Sequence, residues 1–289
     1  MEPQAYHRPV LLEAVVEILS PAPGKVLVDA TLGGGGHSRA LLAGGASVVG
    51  IDQDPDAIAH NQPMASDRFQ LIRGNFGDLP ELLGSTPYRQ VDGILFDLGV
   101  SSHQLDQPHR GFSYQLEGPL DMRMAQAGPS ALDLVNRASL EDLARILYAY
   151  GEEPASRRIA RAILQAREHR PIQTTTELAE LIRKATGHRR GGHPARRSFQ
   201  ALRIAVNGEM EALSRALAAS EELLRPGGRL AVISFHSLED RQVKRFLAGR
   251  RSLVAPGKQP VVPEQREQQD NPRARSAKLR WAVRQETET

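Results

Sequence analysis

The stretch "VDATLGGGGHSRALL" (residues 28–42) passes from a short apolar run into four consecutive glycines and then into a helical pattern. Glycine permits positive φ and lets a ligand approach the backbone with no side chain in the way. The stretch therefore reads as a strand, a tight turn and a helix start, the first half of a βα unit. It is not a G-x-G-x-x-G fingerprint, because Ser38 and Arg39 stand where the last glycine would fall, and it lacks the Gly-Lys-Ser/Thr of a phosphate loop.

Further β-rich runs follow outward from this turn: "KVLVDA" (25–30), "ASVVGID" (46–52), "RFQLIRG" (68–74) and "VDGILFD" (91–97). Helix-length segments separate them, and such alternation predicts a parallel sheet covered on both faces. Asp29, Asp52 and Asp97 stand at strand ends, on the carboxyl edge where open α/β sheets bind ligands. An acid at the end of the second strand accepts hydrogen bonds from both hydroxyls of a ribose, in NAD and S-adenosyl-L-methionine (SAM) alike. Asp29 either faces a cationic ligand group or bonds the glycine turn. Phe76, in "GNF" (74–76), either lies against an adenine or joins the core. Asp97 occupies the place where DNA amino-methyltransferases carry Asp or Asn before Pro-Pro-Tyr. An acceptor there takes N–H bonds from a conjugated amine and restores lone-pair density on its nitrogen; here Leu-Gly-Val follows instead.

The alternation stops after Asp97. Residues 105–198 contain no convincing strand, only helical signals such as "SLEDLARILYAYG", with Ser139 as cap and Asp142 three residues on, "SRRIARAILQAR" and "TTTELAELIRKATG". "SFQALRIAVNGEMEALSRAL" then places Phe199, Leu202, Val206, Met210, Leu213 and Leu217 on one stripe of a single long helix. "LRPGGRLAVISF" ends that helix at Pro-Gly-Gly and begins a fifth strand, "SLEDRQVKRFLAGR" gives a helix, and "AKLRWAVR" a last strand. The Pro- and Gln-rich segment 255–275 is expected to be a loop. The domain expectation is a core of 1–104 and 199–289 around a helical insertion of 105–198.

Composition narrows the classes. A chain of 289 residues with 40% hydrophobic content can bury a sizeable core, and the absence of cysteine excludes disulfides, thiolate metal sites and cysteine nucleophiles. The net charge is only +3, but residues 157–203 hold 12 Lys/Arg against 3 Asp/Glu, and residues 241–289 hold 12 against 5. Such stretches suit a polyanion or form solvated helix faces. Nine histidines are scattered with no H-E-x-x-H, so no metal is expected. "MEPQAYHRPVLLEAVVEIL" does not read as a signal peptide, and no apolar run approaches the roughly 20 residues of a bilayer span. A soluble cytoplasmic protein is expected.

The blocks "HRPVLL" (7–12), "GGGGHS" (33–38), "DGILFDLGVSS" (92–102), "RGFS" (110–113), "GPLDMRM" (118–124), "YGEE" (150–153), "HPARRSFQALRIAVNGE" (193–209), "ISFHSLEDRQVKRF" (233–246) and "NPRARSAKLR" (271–280) together resemble the bacterial RsmH (MraW) family of 16S rRNA cytosine-N4 methyltransferases. The resemblance implies an α/β class I, Rossmann-like methyltransferase with a mostly parallel seven-stranded sheet, an all-helical insertion and SAM as methyl donor. The implied reaction is methylation of the N4 amine of one cytidine in the decoding region of small-subunit rRNA. The family's SAM contacts fall on Gly35, Gly36, His37, Asp52, Phe76, Asp97 and Gln104, with Gly34 in the same turn. Asp97 is the catalytic candidate, whether it serves the donor, the amine or both.

A flipped cytidine is expected between residues 97–102, "RGFS", "DMRM" and "HPARRSF". Ser101, Ser102, Asp121, Arg123 and His236 would shape that pocket, and Arg196 and Arg197 would contact phosphate or else form helix-surface salt bridges. The resemblance names the small ribosomal subunit as partner and allows a homodimer. Three rival readings are a methyltransferase for protein or small molecules, a non-catalytic RNA-binding factor that keeps SAM, and a nicotinamide dehydrogenase, which the missing last glycine disfavours.

Overall fold

A computed structural model describes residues 9–187 and 192–286. His7 and Arg8 of the first family block, and Arg189 and Arg190 of the basic run, lie outside the described residues. In chain order, α1 (Leu12–Leu19), β1 (Val26–Asp29), α2 (Gly36–Ala43), β2 (Ser47–Asp52), α3 (Pro55–Asn61), β3 (Phe69–Arg73), α4 (Leu79–Gly84) and β4 (Val91–Asp97) come first. Next come six helices, α5 (Ser102–Asp106), α6 (Ala131–Arg137), α7 (Leu140–Gly151), α8 (Ser156–His169), α9 (Thr175–Thr186) and α10 (Arg196–Asn207). The chain closes with α11 (Glu209–Leu223), β5 (Leu224–Ser234), α12 (Ser237–Ala248), β6 (Leu253–Val254), α13 (Gln265–Asp270) and β7 (Lys278–Arg284). Two compact units result, Met1–Ser101 with Met210–Thr289, and Ser102–Glu209.

The first unit is built on a seven-stranded sheet in the order β3-β2-β1-β4-β5-β7-β6. Strands β1 to β5 are parallel, and β7 runs antiparallel between β5 and β6. Successive strand residues point to opposite faces, so each strand serves two cores. Val26, Val28, Ile94 and Phe96 pack with Leu213 and Leu217 of α11 and Val243 of α12. Leu27, Val48, Leu95 and Ile233 pack on the other face with Val15 and Leu19 of α1 and Leu41 of α2. Burial on both faces explains why these strands read as continuous apolar runs. The strand order reverses between β1 and β4, and this switch point gathers the ends of β1, β2 and β4 at one edge.

The second unit is helical, with α7 packed against both α8 and α10. Its helices start where side chains satisfy the first N–H groups. Ser139 accepts from the Asp142 N–H, and Ser130 with Asp133 and Thr174 with Glu177 form capping boxes. No strand occurs between 105 and 187 among the described residues, apart from the isolated bridge of Pro119 with Thr174. No helix of the described residues is long and apolar enough to cross a membrane.

Four expectations need correction. The stripe from Phe199 to Leu217 lies on two helices, because Gly208 at φ 58° takes a left-handed conformation that ends α10 before α11 begins. The helical unit accordingly runs to Glu209, so the segment 199–209 groups with it. The Pro-Gly-Gly after α11 belongs to β5 rather than to a turn, at a shift of register between Val91 and Gly93 of the neighbouring strand. Within 255–275 the expected loop holds over residues 255–264, whereas α13 and a 3-10 turn at Pro272–Ser276 replace it beyond, where Glu267 accepts a 2.7 Å hydrogen bond from the Leu11 N–H.

Phe96 is fully buried on the central strand. Its replacement by alanine is expected to lower the unfolding free energy by about 3–5 kcal/mol in urea titrations. A loss below about 1 kcal/mol would contradict this packing.

Candidate functional site

The glycine turn is held from both sides. Gly33 and Gly35 have φ of 49° and 72°, which a side chain rarely tolerates. The Gly33 N–H donates to Asp52 Oδ2 at 2.8 Å, so the end of β2 grips the turn that follows β1. Asn61, fully buried at the end of α3, donates from Nδ2 to the carbonyls of Gly33 and Ala57 at 2.9 and 2.8 Å. A Cβ on Gly35 would collide with Asn61 Oδ1, and one on Gly36 would meet the Pro9 ring at 2.9 Å. Arg39 Nη1 reaches the Gly34 carbonyl at 2.6 Å. The bare backbone is thus a requirement of the fold itself as well as an opening for a ligand.

Asp29 bonds this turn, the second of its two expected roles: Ser38 Oγ donates to its carboxyl at 2.7 Å and the Thr31 N–H at 3.4 Å. Burial pushes its pKa up to about 6 against those bonds. Asp52 also rises to about 6, chiefly because its carboxyl lies below the surface although the residue as a whole is only half-buried. Each Asp52 oxygen accepts one backbone N–H, from Gly33 and from Asp54, which leaves each a further lone pair.

Asp97 carries the sharpest signal. Its side chain is 10% exposed, and its Oδ1 is buried without a hydrogen-bond partner. Burial first, then the charges of Asp29 and Glu239, push its pKa well above the ordinary carboxylate range. His37 Nδ1 lies 3.7 Å from Asp97 Oδ2, while His37 Nε2 sits 3.1 Å from the Val10 carbonyl. A carbonyl only accepts, so Nε2 carries the proton, and burial holds the ring neutral with its pKa lowered to about 4. The Nδ1 lone pair therefore faces the carboxyl. Phe76 sits half-buried on a 3-10 turn after β3, packed against the core with its ring edge-on to Phe96 at 5.6 Å.

A family model described as the MraW methylase family matches residues 4–285. This chain belongs to that family. It is 59% identical over 283 residues to the ribosomal RNA small subunit methyltransferase H of Deinococcus radiodurans, covering 98% of this chain and 91% of that one. It is 51% identical over 301 residues to the protein of the same name from Caulobacter vibrioides, covering 97% and 96%.

In this MraW methylase the other sequence-derived candidates are distributed over both units. Ser101 ends the sheet segment; Ser102 opens α5, and Gln104 is buried within it. His236 caps α12, its Nδ1 accepting from the Glu239 N–H at 3.3 Å, while Nε2 stands 3.1 Å from Glu239 Oε1 without hydrogen-bond alignment. Asp121 and Arg123 form a bidentate pair with each other, at 2.7 and 2.9 Å. Arg196 and Arg197 are exposed in the first turn of α10, and Arg197 Nη1 donates to the Glu152 carbonyl at 3.1 Å. Among the described residues no cluster of His, Asp or Glu is arranged to hold a metal ion.

Three organising residues escaped the sequence reading. Asn61 braces the glycine turn. Buried Arg110 donates to the carbonyls of Arg123 and Met124, joining "RGFS" to "DMRM". Asn207 bonds both the Met122 carbonyl and the Met124 N–H, tying the same loop to the end of α10. Their signal in the sequence is slight, because a polar residue near a helix end looks like any cap.

The raised pKa of Asp97 has a defined consequence for stability. Its contribution is fully present below the unfolded value near 4 and is lost as pH rises through the folded value. Thermal midpoints from pH 5 to 8 should therefore show Asp97→Asn gaining on the native chain as pH rises. A difference that does not vary with pH would mean that Asp97 is ionised throughout.

Proposed function

We propose that this chain transfers the methyl group of SAM to the exocyclic N4 amine of a cytidine in the 16S rRNA of the small ribosomal subunit, in the cytoplasm. The observation that carries the reading is Asp97 Oδ1, a buried acceptor without a donor at the switch point of the sheet. The names of the relatives supply the substrate class, since both are small-subunit rRNA methyltransferases.

The residues present fit SAM. The lone pairs left on Asp52 suit two ribose hydroxyls, the bare backbone at Gly34 to Gly36 admits the amino-acid portion, and half-buried Phe76 supplies an aromatic ring for adenine. The family resemblance also assigns His37 and Gln104 to SAM. The buried acids Asp29, Asp97 and Glu239 create negative potential at this edge, which favours a cationic donor. SAM supplies an electrophilic methyl group bonded to a sulfonium sulfur.

The protein then has to orient and activate the nucleophile. The N4 lone pair of cytosine is delocalised into the ring. An N–H bond accepted by Asp97 Oδ1 draws the amine out of conjugation and aims the nitrogen. As the N–C bond forms, the methyl–sulfur bond of the donor would break and leave a neutral thioether; the nitrogen, now cationic, sheds a proton, and a carboxylate whose pKa is raised is a competent acceptor. The lone pair of His37 Nδ1, 3.7 Å from Asp97 Oδ2, then faces the protonated carboxyl.

Small subunits from cells lacking this protein should acquire N4-methylcytidine at one site when incubated with SAM and the native chain. Asp97→Ala should lower the rate by about 100-fold or more with the rRNA still bound. Asp52→Ala should weaken SAM binding by roughly 10–100-fold through the lost hydrogen bonds. Labelling of protein in place of rRNA, or full turnover by Asp97→Ala, would overturn the reading.

A further inference from the structure

The rRNA reading leaves unexplained a feature inside the helical unit. An open groove of about 950 Å³ runs between α7 and α8, lined by Arg145, Tyr148, Arg157, Arg158 and Arg161, with Glu141 the single acid on its wall and Ala144 in its floor. Arg157, Arg158 and Arg161 are exposed and have no ion pair or hydrogen bond among the described residues. Their i, i+3 and i+4 spacing puts them on one side of α8. Arg145, on the opposing wall, is paired with Asp142 at 2.8 Å in solvent. Tyr148, one turn further along α7, is 67% exposed.

The start of α8 adds to this. Helices α6, α7 and α9 each begin with a Ser or Thr cap and an acid in the first turn, whereas α8 has neither and carries Arg157 and Arg158 there. The acid bonded to this end is the buried Glu153, whose Oε1 accepts the Ala155 N–H at 2.8 Å, so the exposed Arg157 and Arg158 stand at the positive end of the helix, where an anion is favoured. The N-terminus of α10 reaches the same corner, since Arg197 bonds the Glu152 carbonyl just ahead of α8, and Arg196 stands beside it.

We propose that this groove is a binding site for single-stranded RNA, resting on the rRNA reading above. Guanidinium groups of Arg157, Arg158 and Arg161 take successive phosphates, and an unpaired base stacks on Tyr148. Planar forked donors match phosphate oxygens, and sequence-tolerant stacking on an aromatic ring is how unpaired nucleotides are held. An exposed tyrosine between arginines suits a splayed base better than a duplex, whose bases are already stacked. The site secures substrate RNA away from the reacting nucleotide.

The test uses the full chain, a fluorescent single-stranded RNA 12-mer, and unmethylated small subunits. Joint reversal by Arg157→Glu, Arg158→Glu and Arg161→Glu should weaken binding of the 12-mer by about tenfold or more and flatten its salt dependence by roughly two in log–log slope. Tyr148→Ala should weaken it by roughly fivefold or more, while the three Arg→Lys changes retain most of the affinity. Under turnover, the KM for subunits should rise with kcat and SAM affinity unchanged. The melting temperature of the Glu variant should hold or increase, since acids suit that helix end.

Native RNA affinity in the Glu variant would overturn the proposal. So would an equal loss on reversing Arg68, Arg89 and Arg266, three exposed arginines of the sheet unit, or tighter binding of polyglutamate than of RNA. If the native chain leaves subunits unmethylated, the methyl-transfer reading fails, and the 12-mer measurements still decide the groove.

Discussion

Everything at the carboxyl edge depends on the turn after β1, where backbone with positive φ is clamped by neighbours distant in sequence. Asp52 takes the Gly33 N–H, Asn61 takes the Gly33 carbonyl, and Thr31 Oγ1 accepts the Asp97 N–H at 2.6 Å. Three strand ends and one helix end are thereby locked to a single loop. A parallel sheet makes this arrangement available, because its strands all finish at one edge and part at the switch point. The turn is consequently stiff before any ligand arrives, so little conformational freedom remains to be lost on binding.

The second consequence is electrostatic. Asp29, Asp97 and Glu239 lie buried close enough that the other two raise the pKa of Asp97. Collecting buried carboxyls weakens the empty fold, and such tension is common where a site is arranged for its ligand instead of for stability. Under the proposed function, a cationic methyl donor would relieve it. The neutral state of His37 has the same cause, since burial disfavours a charged imidazole and leaves the Nδ1 lone pair 3.7 Å from Asp97 Oδ2.

In the helical unit the arginines divide by task. Arg110 is buried and organises a loop through carbonyl groups, and Arg123 is committed to Asp121. Arg203 is likewise committed to Glu209, at 2.8 Å. Arg157, Arg158 and Arg161 have no such internal partner among the described residues and line one groove. A basic run that looks uniform in the sequence thus separates into scaffold and surface once the partners are visible.

The sequence by itself determined the α/β alternation, the glycine turn, the three acids at strand ends and the helical character of the insertion. Each of these is a local signal, carried by periodicity, by caps such as Ser139 and Thr174, or by glycine conformational freedom. The family blocks added His37 and Gln104 as expected cofactor contacts, and left open whether Asp97 serves the donor, the amine or both. What the sequence could not reveal were relations between distant residues. Gly208 splits an unbroken apolar stripe because its backbone turns left-handed. α13 stands where composition suggested a loop, since Glu267 is tied to Leu11. β6 is two residues long and leaves no periodicity to read. His236 became a cap, Asp121 and Arg123 became each other's partner, and Asn61 became the brace of the turn. Tertiary structure alone decides such matters, because a hydrogen bond depends on distance and direction in space, and those are set by how the whole chain packs.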